Sequence, residues 1–395
     1  MSTLRHENPH YEQHAYWSGV LAMTLCVFVL IASEFMPVSL LTPVAADLRV
    51  SEGLAGQGIA ISGALAVLTS LSLSTLAGNL HRKYLLLGMT ALMALSATMV
   101  ALSPCYLIYM AGRALIGIAI GGFWSMSAAT ALRLVPRHRV PHALAIFNGG
   151  NALATVIAAP LGSYLGAVMG WRGAFLCLVP VAIVAFIWQC FSLPAMAPDN
   201  SRRPGRSAFH LLSRPVVAVG LLACGLFFMG QFSLFTYVRP FLETVTRVDI
   251  STLSLILLTI GIAGFIGTLA ISHFLKRGLY STLAAISSLM AVVAVTLILT
   301  GQHLGFVVPL LGFWGLMATA APTGWWAWIA RTLPDDAEAG GGLMVAVIQL
   351  SIALGSTLGG LTFDHTGWQS TFALSGGLLI VAAGLTILTS RQTHH

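Results

Sequence analysis

Glu34 sits in the apolar run Trp17 to Leu41, directly before Phe35, Met36 and Pro37. Of the 12 acidic residues in the chain, it is the one placed well inside an apolar segment. A second charge, Arg113, lies within the apolar run 106–132. If lipid surrounds these runs, a carboxyl there costs on the order of 2.5–3.5 kcal/mol by insertion scales. The chemistry it could perform is proton carriage. A carboxyl facing a cation releases its proton readily and one facing hydrocarbon keeps it, so a movement that exchanges the two settings loads or unloads a proton. At helical rise Arg113 falls about 10 Å from the start of its run, a depth matching that of Glu34 counted back from Leu41. The two are therefore candidate partners in proton coupling. A fixed ion pair that only holds helices together is the simpler alternative.

A second group of residues could bind a small molecule. Asn148, Asn151 and Thr155 recur at helical spacing on one face of a run, and Gln349 stands at the position in the second half that corresponds to Asn151. Phe227, Gln231 and Phe235 share a face of another run. Rings stack on a flat heterocycle while amides offer it donors and acceptors. Trp124 and Trp314 lie deep in their runs, whereas Trp325, Trp326 and Trp328 fall near a run end, where an interfacial belt accounts for them. The candidate cavity residues are Asn148, Asn151, Gln231, Phe235, Gln349, Trp124 and Trp314; hydrogen bonds between helices are the other use for such amides. No Ser-His-Asp grouping, metal spacing or phosphate loop appears, and the 5 cysteines are scattered, which points away from an enzyme and from any cofactor or metal beyond a coupling proton.

These side chains need a membrane to make sense. The chain has 395 residues, 57% of them apolar and 8% charged, with mean hydropathy +0.88. Soluble domains carry about 25% charge. Twelve apolar runs, each long enough to cross a bilayer, are expected at 17–41, 54–79, 84–102, 106–132, 143–168, 173–193, 216–240, 252–274, 281–300, 306–330, 341–363 and 370–390. The first is read as a retained span rather than a signal peptide. Fourteen of the 19 Lys and Arg residues fall on the side of the bundle where the chain starts, four fall on the other side, and Arg113 lies within a span. That bias places both termini in the cytoplasm and explains the net charge of +7 without nucleic acid.

The chain also repeats itself. Arg133-Leu134-Val135-Pro136 returns as Arg331-Thr332-Leu333-Pro334, Gly170-Trp171 with Phe175 returns as Gly367-Trp368 with Phe372, and Pro37 has a partner in Pro240. One offset of about 200 residues relates them, which describes two parallel six-helix repeats with a site at their midplane interface. The expected domains are 1–193 and 216–395, joined by a polar cytoplasmic linker at 194–215. Glycine pairs such as Gly117/Gly121, Gly162/Gly166 and Gly355/Gly359 would let helices approach closely.

With these residues in view, the sequence resembles the major facilitator superfamily, in its drug:proton antiporter branch. Arg113, Gly117 and Gly121 match the arginine motif of span four, which the family implicates in proton coupling. Pro160 matches the antiporter motif, although Ala159 replaces its usual glycine, and His81 replaces the usual aspartate of the loop after span two. The stretches Glu34-Phe35-Met36-Pro37-Val38-Ser39, Gly121-Gly122-Phe123-Trp124, Phe235-Thr236-Tyr237 with Arg239-Pro240, and Val345 to Leu350 are similar to those of bacterial purine ribonucleoside efflux pumps. The resemblance implies an all-α membrane protein of twelve transmembrane helices in two pseudo-symmetric bundles. It further implies a monomer in the bacterial inner membrane that exchanges protons for a nucleoside-like substrate. A multidrug or sugar antiporter is the nearest alternative; a transporter-like receptor or a polytopic membrane enzyme is the alternative from another class.

Overall fold

The computed structural model describes residues 16–76, 80–136, 139–196, 208–334 and 336–392. The described elements are helical: α1 (Trp17–Leu48), α2 (Glu52–Leu76), α3 (Arg82–Ala101), α4 (Tyr106–Leu134), α5 (Val140–Leu176), α6 (Leu178–Ser192), α7 (Pro215–Phe235), α8 (Val238–Phe241), α9 (Ile250–Arg277), α10 (Leu279–Thr300), α11 (Leu304–Thr332), α12 (Ala337–Thr366) and α13 (Trp368–Gln392). Two short pieces, a 3-10 turn over Ala208–Ser213 and a π-helical turn over Leu242–Thr246, flank α7 and α8. The middle of the linker, 197–207, lies outside the described residues, as do the basic residues Arg5, Arg137, Arg202, Arg203 and Arg206.

Among the described residues, eleven stretches are long and apolar enough to cross a membrane, and one of them runs for 51 residues from His142 to Ser192. At about 1.5 Å per residue that stretch is far too long for a single crossing. Its partners show a hairpin. Gly150 meets the carbonyl of Thr24 and Gly166 meets Leu40, so α5 runs alongside α1 in the same direction. The Gln189 amide then reaches Cys26, and the Trp188 indole bonds Ser18, so α6 has come back. Gly170, at φ 76 and ψ 163, makes the turn. Among the described residues twelve crossings result, with the start of α1 and the end of α13 on the same face, termed proximal; the opposite face is distal.

The expected repeat is built into the backbone. Arg49 and Arg247, both left-handed, end α1 and the π-turn that follows α8, at φ 54 and φ 58. Gly170 and Gly367 turn the chain in each half at φ 76 and φ 91, where a Cβ would strain the backbone. Each glycine is followed by an edge-to-face pair, Trp171 on Phe175 and Trp368 on Phe372. Gly117 of α4 lies so close to α2 that a Cβ would stand 2.2 Å from the Ser62 carbonyl, and Gly315 of α11 bears the same relation to the Ile260 carbonyl of α9, at 2.3 Å. Gly121 does likewise against Ala66, and Gly355 and Gly359 against Met229 and Ser233 of α7. The small-residue spacings therefore act as helix-packing surfaces.

Several boundaries move. α1 continues seven residues past Leu41 to Leu48, because Pro43 is accommodated inside the helix and the stop signal is the left-handed Arg49. The seventh span breaks after Phe235, and Thr236-Tyr237 hands over to α8. The interfacial-belt expectation is corrected for two tryptophans. Trp325 and Trp328 are 1% and 0% exposed, packed edge to face in the core of the second half, and only Trp326 is exposed. Spacing of three residues turns both rings to the same inward face.

α9 opens with a side-chain cap: Asp249 accepts hydrogen bonds from the Ser251 N–H and the Thr252 hydroxyl. The Thr252 bond is the main reason its carboxyl titrates below the usual carboxylate range. A depressed acid stabilises above its unfolded pKa and loses that contribution as pH falls through the folded one. Asp249→Ala is therefore expected to lower the melting temperature slightly at pH 7, with the difference from wild type closing in strong acid; equal melting curves at pH 7 would remove the cap's role.

The halves meet from mid-membrane to the distal face. α2 packs on α12 and α5 on α9, and α8 touches α1. Val38, Ile59 and Ala159 of the first half join the apolar core of the second. Where Pro160 leaves the Val156 carbonyl without its helical donor, Gly261 of α9 lies against it, close enough that a Cβ would stand 2.8 Å from that oxygen.

Candidate functional site

The site is organised by α1 and its two prolines. A proline inside a helix has no N–H for the carbonyl four residues earlier. Pro37 thus empties the Ser33 carbonyl, and Pro43 empties the Ser39 carbonyl. In hydrocarbon such groups need partners from elsewhere in the protein, and both find an arginine. Arg113, 1% exposed, donates through Nη1 to the Ser33 carbonyl at 2.6 Å and through Nε to the Gly58 carbonyl of α2 at 3.1 Å. Its Nη2 lies 3.5 Å from the Glu34 carbonyl and 3.4 Å from the Ser62 hydroxyl. Arg239 of α8 donates to the Ser39 carbonyl.

Arg113 and Glu34 are neighbours, as their depths suggested, yet no ion pair joins them. The guanidinium is spent on backbone carbonyls of α1 and α2, and only the through-space field of its charge reaches the carboxyl. The Glu34 side chain instead points across the molecule. It is 5% exposed, and its Oε1 accepts a hydrogen bond from Nε2 of Gln349 on α12 at 3.4 Å. The Gln349 Oε1 is buried with no partner, and so are the Ser33 hydroxyl and the Oε1 of Gln231 on α7. Buried amide oxygens left empty are uncommon in folded proteins, and these two can accept hydrogen bonds from a bound molecule.

Other expected cavity residues distribute differently. Phe235 is half-buried and meets Phe232 edge to face, and Phe232 in turn stacks on Phe35 of α1 across the halves, with ring centroids 5.9 Å apart. Phe227, on the same helical face by spacing, is sealed in the core against Phe228. Asn151 is half-buried on α5. The side chain of Asn148 lies outside the described residues. Trp124 is half-buried against the core of the first half. Trp314 is 1% exposed inside the core of the second half, its indole N–H without a partner. Two contacts across the halves thus start from neighbouring positions of α1: Glu34 with Gln349, and Phe35 with Phe232, which in turn meets Phe235. Sequence reasoning missed Ser33, Ser39, Phe35, Phe232 and Arg239. A signal for the first two was present, since each lies four residues before a proline.

The comparisons with known proteins agree with this architecture. Residues 23–339 match the model of the Major Facilitator Superfamily. The chain belongs to that superfamily. A Pseudomonas aeruginosa relative named transcription regulatory protein OpdE is 65% identical over 390 residues, covering 98% of this chain and 96% of the relative. The purine ribonucleoside efflux pump NepI of Salmonella typhimurium is 41% identical over 367 residues, covering 93% and 92%. Among solved structures, a bacterial homolog of the human lysosomal transporter Spinster, inward-facing and unoccupied, superposes with a TM-score of 0.73 at 14% identity, covering 95% of this chain and 97% of that one. The protein is a multi-pass Major Facilitator Superfamily transporter, not an enzyme, and its two bundles of six helices are that superfamily's fold.

Proposed function

We propose that this transporter exports purine ribonucleosides such as inosine and guanosine across the bacterial inner membrane, in exchange for protons, by alternating access. In this reading both termini lie in the cytoplasm, so the distal face is periplasmic, and 1–193 and 216–395 rock against each other as a monomer. The observation that carries the reading is the Glu34–Gln349 contact: a buried acid whose side-chain partner belongs to the opposite half. Rocking must lengthen or break that bond. With the pair closed the carboxyl is shielded from water and cannot exchange a proton; opened to an aqueous path it can. Proton movement is thereby tied to the position of the halves, and the emptied Gln349 amide becomes available to substrate.

The nucleoside assignment draws on the NepI likeness. The site chemistry is compatible with it: unpartnered amide oxygens of Gln349 and Gln231 accept from ring or exocyclic N–H groups, and Phe35, Phe232 and Phe235 offer faces for a flat base. Arg113 supports the coupling acid by holding the α1 backbone on which it rides. The OpdE name gives a regulatory role to that relative. A carrier that sets the level of a small signalling molecule produces such an effect without contacting DNA.

Purified protein in liposomes tests the reading. An imposed pH gradient is expected to drive inosine or guanosine movement several-fold above that in matched liposomes without a gradient. Gradient-driven flux of sugars or lipophilic cations, with none for any nucleoside, would replace the substrate assignment with a sugar or multidrug one.

A further inference from the structure

The mechanism so far uses the middle of the membrane and leaves the distal closure unexplained. Three of the inter-half hydrogen bonds there are made by a charged side chain of the second half. Arg239 donates to the Ser39 carbonyl. Asp364 at the end of α12 accepts from the Ser51 hydroxyl and, at 3.0 Å, from the Gly53 N–H, which places a carboxylate on the N-terminus of α2. Arg239 is set up with more care than a surface contact requires. It is 5% exposed, and its Nε is held by Glu243 one helical turn on at 2.8 Å. The short piece that carries it follows a break in the helix, and Tyr237 anchors that break. The Tyr237 hydroxyl donates to the Ser356 carbonyl at 2.7 Å, and its ring fills the space over Gly56 of α2 and Gly359 and Gly360 of α12, where added Cβ atoms would collide with it.

We propose that Arg239 is the residue that holds the distal face shut, by serving as the missing donor for the carbonyl that Pro43 strips of its helical bond. The logic is asymmetric between states. While the face is closed, the buried Ser39 carbonyl lacks its regular helical donor, because residue 43 has no N–H, and Arg239 is the side chain that bonds it. Once the halves part, water reaches both the carbonyl and the guanidinium and replaces the bond. Neither state strands a buried polar group, but an intermediate in which the halves separate without flooding does, so the closure opens completely or not at all. Asp364 on the α2 terminus adds a second bond of the same kind, side chain to backbone. The inference rests on alternating access and is indifferent to which substrate is carried.

Spin labels on exposed distal positions Leu102 and Phe306, one in each half, report the closure by their distance distribution; labels at Tyr84 and Lys276 report the proximal face. Both pairs are placed on a background with the native cysteines replaced by serine. No substrate or proton gradient is needed, so the outcome does not depend on the nucleoside reading. Arg239→Met is expected to raise the ratio of distal-open to distal-closed molecules about tenfold, with the proximal pair moving closer in the same molecules. Arg239→Lys, which keeps the charge but cannot hold Glu243 and Ser39 with one planar fork, should give a smaller shift in that direction. If Arg239→Met does not yield a folded protein, Pro43→Ala serves instead: it returns an N–H to the Ser39 carbonyl and should also favour the distal-open form. A folded Arg239→Met or Pro43→Ala protein with wild-type distance distributions, or one in which the distal pair loosens while the proximal pair stays apart, would overturn the proposal.

Discussion

Glu34→Gln is expected to abolish nucleoside accumulation driven by a pH gradient, by a factor of about 100 or more, while downhill exchange of substrate across the same liposomes continues. The substitution removes the exchangeable proton and almost nothing else. Gln has the shape of a protonated Glu, and Gln349 can bond a neighbouring amide as well as a carboxyl. No cation loses its partner, because the Arg113 guanidinium is engaged with carbonyls of Ser33 and Gly58 and not with the Glu34 carboxylate. Stability should therefore stay within about 1 kcal/mol of wild type. Glu34→Asp draws the carboxyl back by one methylene from a bond that is already 3.4 Å long, so partial coupling with altered pH dependence is the expected result. The measurement is paired: gradient-driven and downhill flux in proteoliposomes, and thermal unfolding in detergent. Full gradient-driven flux in Glu34→Gln would take Glu34 out of the mechanism.

The parts of this molecule that sequence made legible are those set by composition and period. Apolar runs of bilayer length had to become crossings, and the recurrence of Gly-Trp with a following Phe had to mean a repeated turn. Gly170 and Gly367 turn the backbone at those places. Depth arithmetic brought Arg113 level with Glu34, and the repeat paired Gln349 with Asn151, so spacing alone had singled out two residues that the structure places beside Glu34. What spacing could not show was direction. Arg113 was expected to face a carboxylate because opposite charges attract, but the carbonyl emptied by Pro37 competes for the same donors and lies in line with the fork. Trp325 and Trp328 were assigned to an interface by their position along the run, yet the second half's packing turns them inward. Phe227 shares a helical face with Gln231 and Phe235, but α7 is enclosed where Phe227 stands and less so two turns later.

The link between halves escaped for a related reason. Asp364 and Ser51, Gln57 and Thr357, Ser163 and Ser254, and Arg239 and Ser39 are each joined by a hydrogen bond across the two repeats. None of these pairs has a sequence signal, because the partners lie far apart in the chain and several of the bonds end on polar groups common at helix ends. They become readable only once the halves have been docked. The proline rule is the exception: an in-span proline announces an empty carbonyl one turn back, and in α1 both announcements are answered by arginines.

Arg113 is where that rule makes its sharpest quantitative claim. Arg113→Ala removes the donor to the Ser33 carbonyl, leaving a strong acceptor buried and empty at about 1–3 kcal/mol, and opens a hole the size of a guanidinium in a site that is 1% exposed. A total loss of about 3–5 kcal/mol is expected, seen as a steep fall in melting temperature and in yield of folded protein. Lysine should not rescue it well, since one ammonium cannot reach the Ser33 and Gly58 carbonyls with the geometry of Nη1 and Nε. The diagnostic is a double-mutant cycle with Pro37→Ala. That substitution restores an N–H at position 37, so the Ser33 carbonyl no longer depends on Arg113, and Arg113→Ala should cost about 1–2 kcal/mol less in its presence. An arginine whose chief task was to tune the Glu34 carboxyl would behave otherwise: Arg113→Ala would move the pH profile of transport with little change in melting temperature, and Pro37→Ala would be additive with it. Coupling between positions 37 and 113 in the unfolding free energies decides between the two.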